Sequence, residues 1–343
     1  MEFVVSPVKV QELARIAGVT QPAISKKFKD EPSGSIKNER NRILGITPQA
    51  IEEYLTARGQ GEIYGGGIYL TSNLCGGTSK TTSCLSLGAA FRRIADPKKS
   101  PVIWVDYDSQ FSLTSVLTGN AVPDEKPVLV NYFDGKAKLD DILTPVGAPD
   151  DNLWLIGSNL NNLYLEKILS APIAMRSSMA RLMKDIFSKF GDRAKIFCDS
   201  PPALSSSTSS LICALSELQG KYDTKLLIPL RSDRFSLSGA KLQMSEKKSI
   251  LEAFNLPDCE TVVFLSSFDK RLKISMDIFK QLLEDPNLKD FVAPVYCRFS
   301  SEISKAHQGN RSIFSGTNNS ATEDYTDLML FVMGYKKVLE GNA

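Results

Sequence analysis

The sequence predicts an α/β fold, a mostly parallel sheet flanked by helices, with a small separate unit in front of it. Three observations carry that expectation. The chain has 343 residues, more than one compact core usually holds, which implies two domains. Beyond residue 67, short continuous apolar runs alternate with segments of helical period, the pattern of strands buried on both faces and covered by helices. The first sixty residues read instead as helices broken by a tight turn, and the glycine-rich "GQGEIYGGG" over 59–67 marks a boundary. The expected division is 1–60 and 61–343.

Taken in order, "VQELARIAGVTQPAISKKF" gives two helices with the turn at Gly18. "SIKNERNRILGITPQAIEEYL" gives a short basic hairpin and then a helix opened by Thr47-Pro48, a cap followed by proline at the first helical position. "GIYLTSN" is a strand and 81–95 a helix; "PVIWVDYD" is a strand and 172–190 a helix begun by proline. "AKIFCDSPP" and "TKLLIPLRS" are strands, 235–254 a helix, "ETVVFLSSF" a strand, 273–283 a helix, and "FVAPVYCR" a last strand. "SSSTSS" at 205–210 is the nearest approach to low complexity. The tail "YTDLMLFVMGYKKVL" is apolar at helical spacing but too apolar and too little basic for a membrane-surface helix, so a packed core helix is expected.

Composition narrows the chemistry. Hydrophobic residues at 42% and charged residues at 23% are ordinary for a soluble globular chain. A net charge of +2 means that any nucleic-acid surface is local. Six cysteines without a C-x-x-C pair read as reduced thiols of a cytosolic protein rather than a disulfide or zinc framework. The single histidine, His307, leaves a His-based triad or metal site almost nothing to work with and is read as a surface or loop residue. No signal peptide or long apolar run is visible, so the chain is expected to be intracellular and not membrane-bound.

Three motifs fall at strand ends, where ligands bind in an open α/β sheet. "NLCGGTSKTT", 73–82, follows the first sheet strand and opens a helix. It nearly spells the phosphate-binding pattern G-x-x-x-x-G-K-[ST], except that the two glycine positions hold Leu74 and Ser79. Gly76, Gly77, Thr78 and Ser79 are small enough for backbone N–H groups to approach phosphate, and the helix start adds partial positive charge. Lys80 would neutralise β/γ oxygens and Thr81, followed by Thr82, would ligate Mg2+. "VDYDSQ" ends the next strand with Asp106 and Asp108, and "FCDSPP" ends a later one with Asp199 after apolar residues. Each piece alone is also what a plain turn or a helix cap would show; three in order at the ends of one sheet are not.

Together, "CGGTSKTT", "WVDYDSQFSLT", "FCDSPPALSSST" and "LLIPLRSDRFSLSGA" resemble the ParA/MinD group of deviant-Walker ATPases. "SSFDKRLKISMDIFKQL" and "RFSSEISKAHQGNRSIF" resemble that group's last third, so the likeness runs over about 65–340. The group's loop, K-G-G-x-x-K-[ST], accounts for the missing glycines. The resemblance implies a P-loop NTPase fold, ATP/ADP and Mg2+ as cofactors, a nucleotide-dependent homodimer, and a cytoplasmic, nucleoid-associated protein. Carried over, Lys80 and Thr81 hold phosphate and magnesium, Asp108 polarises the attacking water, and Asp106 and Asp199 support magnesium and its waters. The sequence has Ser109 where the group's D-x-D-P-Q has proline, and it departs clearly once: the lysine that opens the group's loop and reaches the partner's phosphates is Cys75 here. Slow hydrolysis is therefore expected, with Arg231 or Arg234 as the nearest substitutes.

The N-terminal pattern fits a winged helix-turn-helix. Ala14 packs between the helices, and Val19, Ile24 and Phe28 face the core. Thr20, Gln21, Pro22, Ser25 and Lys26 would face the major groove, and Lys37, Arg40 and Arg42 would touch phosphate. An ordinary helical hairpin would show similar small residues. Such a unit before the ATPase resembles the large plasmid-type ParA proteins, which implies operator binding, autorepression and a ParB-like partner that stimulates hydrolysis. A nucleotide-gated repressor with vestigial ATPase activity is the alternative. Lys270, Arg271 and Lys273, with Lys305 and Arg311, could form a second DNA surface or a solvated charged turn.

Overall fold

The computed structural model describes residues 3–29, 31, 33–316 and 318–335. At the front, α1 (Val10–Ala17) and α2 (Gln21–Lys29) meet at a turn in which Gly18 takes φ +61° and its N–H closes onto the carbonyls of Ala14 and Arg15. This left-handed C-cap is the conformation that glycine adopts most cheaply. Leu13, Ala17, Ile24 and Phe28 are buried between the helices, while Val19 is half-buried. β1 (Ser35–Lys37) and β2 (Ile43–Ile46) form an antiparallel hairpin, and α3 (Pro48–Thr56) starts at Thr47, whose hydroxyl accepts from the Ala50 N–H.

The main sheet has seven strands: β3 (Gly67–Thr71), β4 (Val102–Asp106), β5 (Leu143–Val146), β6 (Leu153–Ile156), β7 (Lys195–Asp199), β8 (Asp223–Leu230) and β9 (Glu260–Leu265). Their order is β5-β6-β4-β7-β3-β8-β9, and every neighbouring pair is parallel except the antiparallel β5–β6 edge. The helices are α4 (Lys80–Arg92), α5 (Ser112–Thr118), α6 (Leu129–Phe133), α7 (Leu139–Ile142), α8 (Leu165–Leu169), α9 (Pro172–Phe190), α10 (Ser206–Leu218), α11 (Arg234–Ala253), α12 (Lys273–Glu284), α13 (Ser301–Gln308) and α14 (Ser320–Val332). Two cores result, one on each face. Ile68, Leu70, Ile103 and Ile196 point to the face covered by α9, α10 and α11. Tyr69, Trp104 and Phe197 point to the face covered by α4 and α14. Alternation along each strand thus supplies both layers. The tail is a packed helix as far as Val332, with Met333 and Tyr335 buried beyond it; its last part, 336–339, lies outside the described residues.

One expected strand is corrected, and three segments take a form the sequence did not show. "FVAPVYCR" is no strand: after a 3-10 turn at Lys289–Phe291 it makes only isolated bridges, Val263 to Val292 and Phe268 to Arg298. Pro294 has no N–H to give to a ladder there. The sheet's other edge, β5 and β6, went unread because Pro145 and four-residue runs look like loop. "SSSTSS" forms the cap and first turn of α10, with the Ser205 hydroxyl accepting from the Thr208 N–H. "GQGEIYGGG" is packed: Ile63 and Tyr64 are buried, and Arg193 donates to the Tyr64 carbonyl.

The first unit therefore sits against the sheet. Phe3, Val8, Leu13 and Leu55 belong to the same core as Phe91 and Trp104. Glu52 of α3 accepts from the Asp96 N–H at 2.7 Å and from Arg193 at 2.5 Å, and the Tyr335 hydroxyl donates to the Ile16 carbonyl at 2.9 Å.

Candidate functional site

The register of the sheet builds the site. β7 lies between β3 and β4, so Thr71, Asp199 and Asp106 stand side by side at the carboxyl ends of three strands. The loop after β3 is pinned at its start. Asn73 is buried, its amide donates to the Pro229 carbonyl at 2.9 Å, and its Oδ1 accepts the Cys75 N–H at 2.8 Å. Gly239 of α11 packs on this corner so closely that a Cβ there would fall 2.7 Å from Asn73 Oδ1.

Gly77 takes φ +69° and Ser79 takes φ +67°. Ser79 thus keeps the left-handed backbone of the glycine it replaces, at a cost on the order of 1–3 kcal/mol. Lys80 then opens α4, and its ammonium folds back to donate to the Cys75 carbonyl at 2.9 Å, closing the loop into a ring. Burial lowers the pKa of Lys80, while the carboxylates of Asp199 and Asp108 pull it up. Thr78 and Thr82 are buried beneath the loop, and the Thr78 carbonyl accepts from the Ser266 hydroxyl at 2.9 Å. Gly76 and Gly77 face solvent, where a ligand reaches their backbone.

The Thr81 hydroxyl donates to Asp199 Oδ2 at 2.6 Å. The other oxygen of Asp199 is buried and, among the described residues, has no hydrogen-bond partner. Burial raises the pKa of Asp199, the neighbouring Asp106 raises it further, and the Thr81 bond opposes both. Asp106 is bound into its own loop instead. Its Oδ1 accepts the Asp108 N–H at 3.1 Å, and its Oδ2 accepts the N–H and hydroxyl of Thr114 at 2.8 and 2.7 Å. Burial raises its pKa as well, against the Thr114 bonds. Asp108 is buried, its Oδ1 accepts the Gln110 N–H at 2.9 Å, and its carbonyl accepts from Ser158 at 2.7 Å.

These residues fit a magnesium ion. Among the described residues no group of three or more His, Cys, Asp or Glu side chains could hold a metal by itself. Magnesium needs no such cage, because it keeps waters and takes one or two protein ligands with substrate phosphates. An orphaned carboxylate oxygen beside the Thr81 hydroxyl, at the rim of a phosphate-type loop, is that donor set.

Cys75 is half-buried, with its thiol directed to the Gly76 carbonyl, and the other five cysteines are buried. Of the two arginines expected near it, Arg231 reaches the loop at Gly77, while Arg234 opens α11 with an exposed side chain. In the first unit, Thr20, Gln21, Pro22 and Lys26 are exposed at the start of α2 and Ser25 is half-buried. Arg40 and Arg42 are exposed at the hairpin tip, where Asn38 Oδ1 accepts both of their N–H groups. Lys37 has a structural partner: its ammonium donates to the Lys29 carbonyl at 2.7 Å and caps α2.

Lys270, Arg271 and Lys273 are exposed before and at the start of α12, with Arg271 paired to Asp269 and Lys305 to Glu302. His307 is no loop residue: it sits on α13, half-buried, and burial lowers its pKa. Sequence reading missed Asn73, Ser158, Gly239 and Ser266, small or neutral residues whose value lies in contacts made across the fold.

The family model described as an AAA domain matches residues 68–256, more than half of the chain. No curated protein sequence matches it. Among solved structures, a variant of Cyanothece McdA in complex with ATP superposes with a TM-score of 0.61 at 19% identity, over 78% of this chain and 96% of that one. Cobyrinic acid a,c-diamide synthase from Mycobacterium smegmatis, with ADP and magnesium bound, gives 0.60 at 19% identity, over 79% and 96%. A protein from Borrelia burgdorferi described as a plasmid partition protein, bound to AMPPNP, gives 0.56 at 16% identity, over 78% and 98%. At these identities the likeness is one of fold.

Proposed function

The chain belongs to this AAA-domain family of ParA/MinD-type P-loop ATPases, and from that premise we propose that it is a ParA-like partition ATPase that binds ATP with Mg2+ and binds DNA. The observation that carries the reading is the convergence of Lys80, the Thr81–Asp199 pair and Asp108 on one loop at the strand ends. Phosphoryl transfer needs mainly positioning and charge stabilisation. The backbone of 76–82 would cradle the phosphates, Lys80 would neutralise them, and Thr81 with the open oxygen of Asp199 would hold the metal. Magnesium bound with the nucleotide would supply positive charge to the phosphates. Asp108 polarises the attacking water, and Asp106 holds the turn that carries it. Hydrolysis of ATP yields ADP and inorganic phosphate.

Residues 1–60 act as the winged helix-turn-helix. The exposed start of α2, with Gln21 and Lys26, reads an operator, and Arg40 and Arg42 at the hairpin tip meet backbone phosphate. Autorepression follows from operator binding. Two such helices on a palindromic site require a homodimer. A ParB-like centromere-binding partner stimulates hydrolysis, and Lys270, Arg271 and Lys273 add contact with DNA of any sequence. Among the described residues no helix is long and apolar enough to cross a membrane, and the reading places the protein on the nucleoid in the cytoplasm.

Cys75 favours a second reading, a nucleotide-gated repressor with vestigial turnover, because a neutral thiol stands where relatives have a cation. Calorimetry of Mg-ATP binding to Lys80→Ala tests the nucleotide site: binding is expected to vanish, and unchanged affinity sinks the proposal. Turnover with and without DNA and partner separates the two readings.

A further inference from the structure

The turn between β8 and α11 carries a cation that the motifs around the loop do not explain. β8 pairs with β3 in parallel, Gly67 opposite Asp223 through Thr71 opposite Leu227, so the turn after β8 must lie beside the loop after β3. The residue there is Arg231. Its Nη1 lies 3.2 Å from the point where a Cβ on Gly77 would stand. The φ of +69° favours glycine at 77, and the guanidinium lies close against it.

The turn is held firmly while the side chain is not. The Arg231 N–H donates to the Ser236 hydroxyl at 2.9 Å, and its carbonyl accepts the Asp233 N–H at 2.8 Å. Among the described residues its guanidinium has only a loose ion pair, 3.6 Å from Asp233, whose carboxylate also caps α11 by accepting the Ser236 N–H at 2.8 Å. The side chain keeps 52% of its exposure. Lys80, by contrast, is buried and already donates to Cys75.

We infer that Arg231 is a phosphate-binding residue of the nucleotide site, a second cation brought to the loop by the same chain. The inference rests on the nucleotide reading above. A triphosphate with one divalent cation and one lysine is left with net negative charge, and it lies where the loop's exposed amides point. A guanidinium is planar and presents paired donors that match phosphate oxygens. From its place over Gly77, Arg231 reaches a phosphate seated on the loop by rotation about its own side-chain bonds alone, without moving backbone. The charge is supplied in cis, so this part of the site is complete in a single protomer.

The test is calorimetric titration of the full chain with Mg-ATP at several salt concentrations, on the wild type, Arg231→Ala, Arg231→Gln, Arg231→Lys and Arg234→Ala. A lost charge-assisted hydrogen bond should weaken Mg-ATP about tenfold in Arg231→Ala and in Arg231→Gln. Arg231→Lys should recover most of that loss, and Arg234→Ala should bind as the wild type does. The deficit should shrink as salt rises, which a merely structural defect would not do. Arg231→Gln keeps the length and polarity of the side chain, so it stands in if the alanine variant folds poorly. Wild-type binding together with Mg-ATP affinity within twofold in Arg231→Ala and Arg231→Gln overturns the inference and leaves the nucleotide site standing. A wild type that binds no Mg-ATP overturns both.

Discussion

Arg93, the residue that caps α4, holds both carboxylate oxygens of Glu12 in α1, at 2.6 and 2.8 Å, with both side chains buried. The same guanidinium donates to the Ser6 carbonyl and lies over the ring of Phe314, and Asn318 donates to Glu12 from the other side. α4 begins at Lys80, inside the phosphate loop. One helix of about 20 Å therefore runs from the nucleotide site to the first helix of the N-terminal unit.

Breaking this pair should destabilise the whole chain. Removing one partner of a buried ion pair leaves the other uncompensated, at about 3–5 kcal/mol. Arg93→Ala and Glu12→Gln should lower the urea midpoint accordingly. The pair also sets a pH dependence. Burial pushes the Glu12 carboxyl up, but Arg93 and Asn318 more than offset it and its pKa ends lower than usual. A depressed carboxylate stabilises the fold fully above its unfolded pKa and loses that contribution as pH falls through its folded pKa. The wild type's advantage over Glu12→Gln should shrink below about pH 4.5. A constant gap from pH 7 to pH 3 would show that Glu12 is not the titrating group.

Ser79 tests the loop's backbone. With φ at +67°, Ser79→Gly relieves strain and should leave folding and Mg-ATP affinity intact. Ser79→Val puts a β-branched residue where it is a conformational outlier, and should cost about 1–3 kcal/mol of stability and most of the nucleotide affinity. Equal behaviour of the two variants in thermal unfolding and titration would mean that the loop does not hold this conformation in solution.

Much of this was legible in the sequence, and the reasons differ from place to place. The central strands read correctly because burial on both faces makes them continuous apolar runs, as in "VIWVD" and "KIFCD". That Lys80, Thr81 and Asp199 come together was legible because their order follows strand ends. The β5–β6 edge was not, because Pro145 interrupts a run of only four residues, whereas the proline-bearing "FVAPVYCR" read as a strand and is none. Nor was the separate standing of Asp106 and Asp199. Sequence shows two carboxylates at strand ends, and only the contacts show that Thr114 engages one of them while the other keeps an oxygen open. The burial of Glu12 and Glu52 under Arg93 and Arg193 was invisible for the same reason: the partners stand far apart along the chain.

The difference between the two carboxylates gives a third prediction. Thr81→Ala and Asp199→Asn should weaken ATP chiefly in the presence of Mg2+, with a tenfold or larger loss that disappears when the metal is chelated. Asp106→Asn should instead lower thermal stability, by about 1–3 kcal/mol for the disturbed buried bonds to Thr114, whether or not Mg2+ is present. Titrations with and without chelator, alongside melting curves, separate the two patterns. A metal-dependent loss of the same size in Asp106→Asn would make it a ligand equal to Asp199.

The DNA reading separates side chains that face outward from one that does not. Gln21→Ala should relax sequence preference by about 1–3 kcal/mol at the base it reads. Arg42→Ala should weaken all DNA alike and lower the salt slope by about one. Lys37→Ala should show itself mainly in stability, because its ammonium caps α2. Binding measured on specific and random duplexes over a salt series decides, and retention of operator affinity after deletion of residues 1–58 would remove the N-terminal unit from DNA recognition.

Cys75 is where rate should depart from affinity. The loop's ring is closed by the Cys75 carbonyl, which accepts from Lys80, so backbone geometry there does not depend on the side chain. The side chain itself brings no positive charge, and a thiolate would place negative charge beside phosphate. A cation acting on charge that develops in the transition state is worth about 10³–10⁵ in rate where it can be measured as an arginine finger. The protein should accordingly bind Mg-ATP well and turn it over slowly. Cys75→Lys should raise steady-state phosphate release with little change in affinity, and Asp108→Ala should lower it in both backgrounds. If Arg231 already supplies charge from the other side of Gly77, the gain from Cys75→Lys should be larger when Arg231 is alanine than in the wild type, because the two cations then act on the same oxygens. Phosphate release from the four combinations of these two positions, with DNA and partner present, measures that coupling. A Cys75→Lys variant no faster than its parent in either background would show that charge at this position is not what limits the rate.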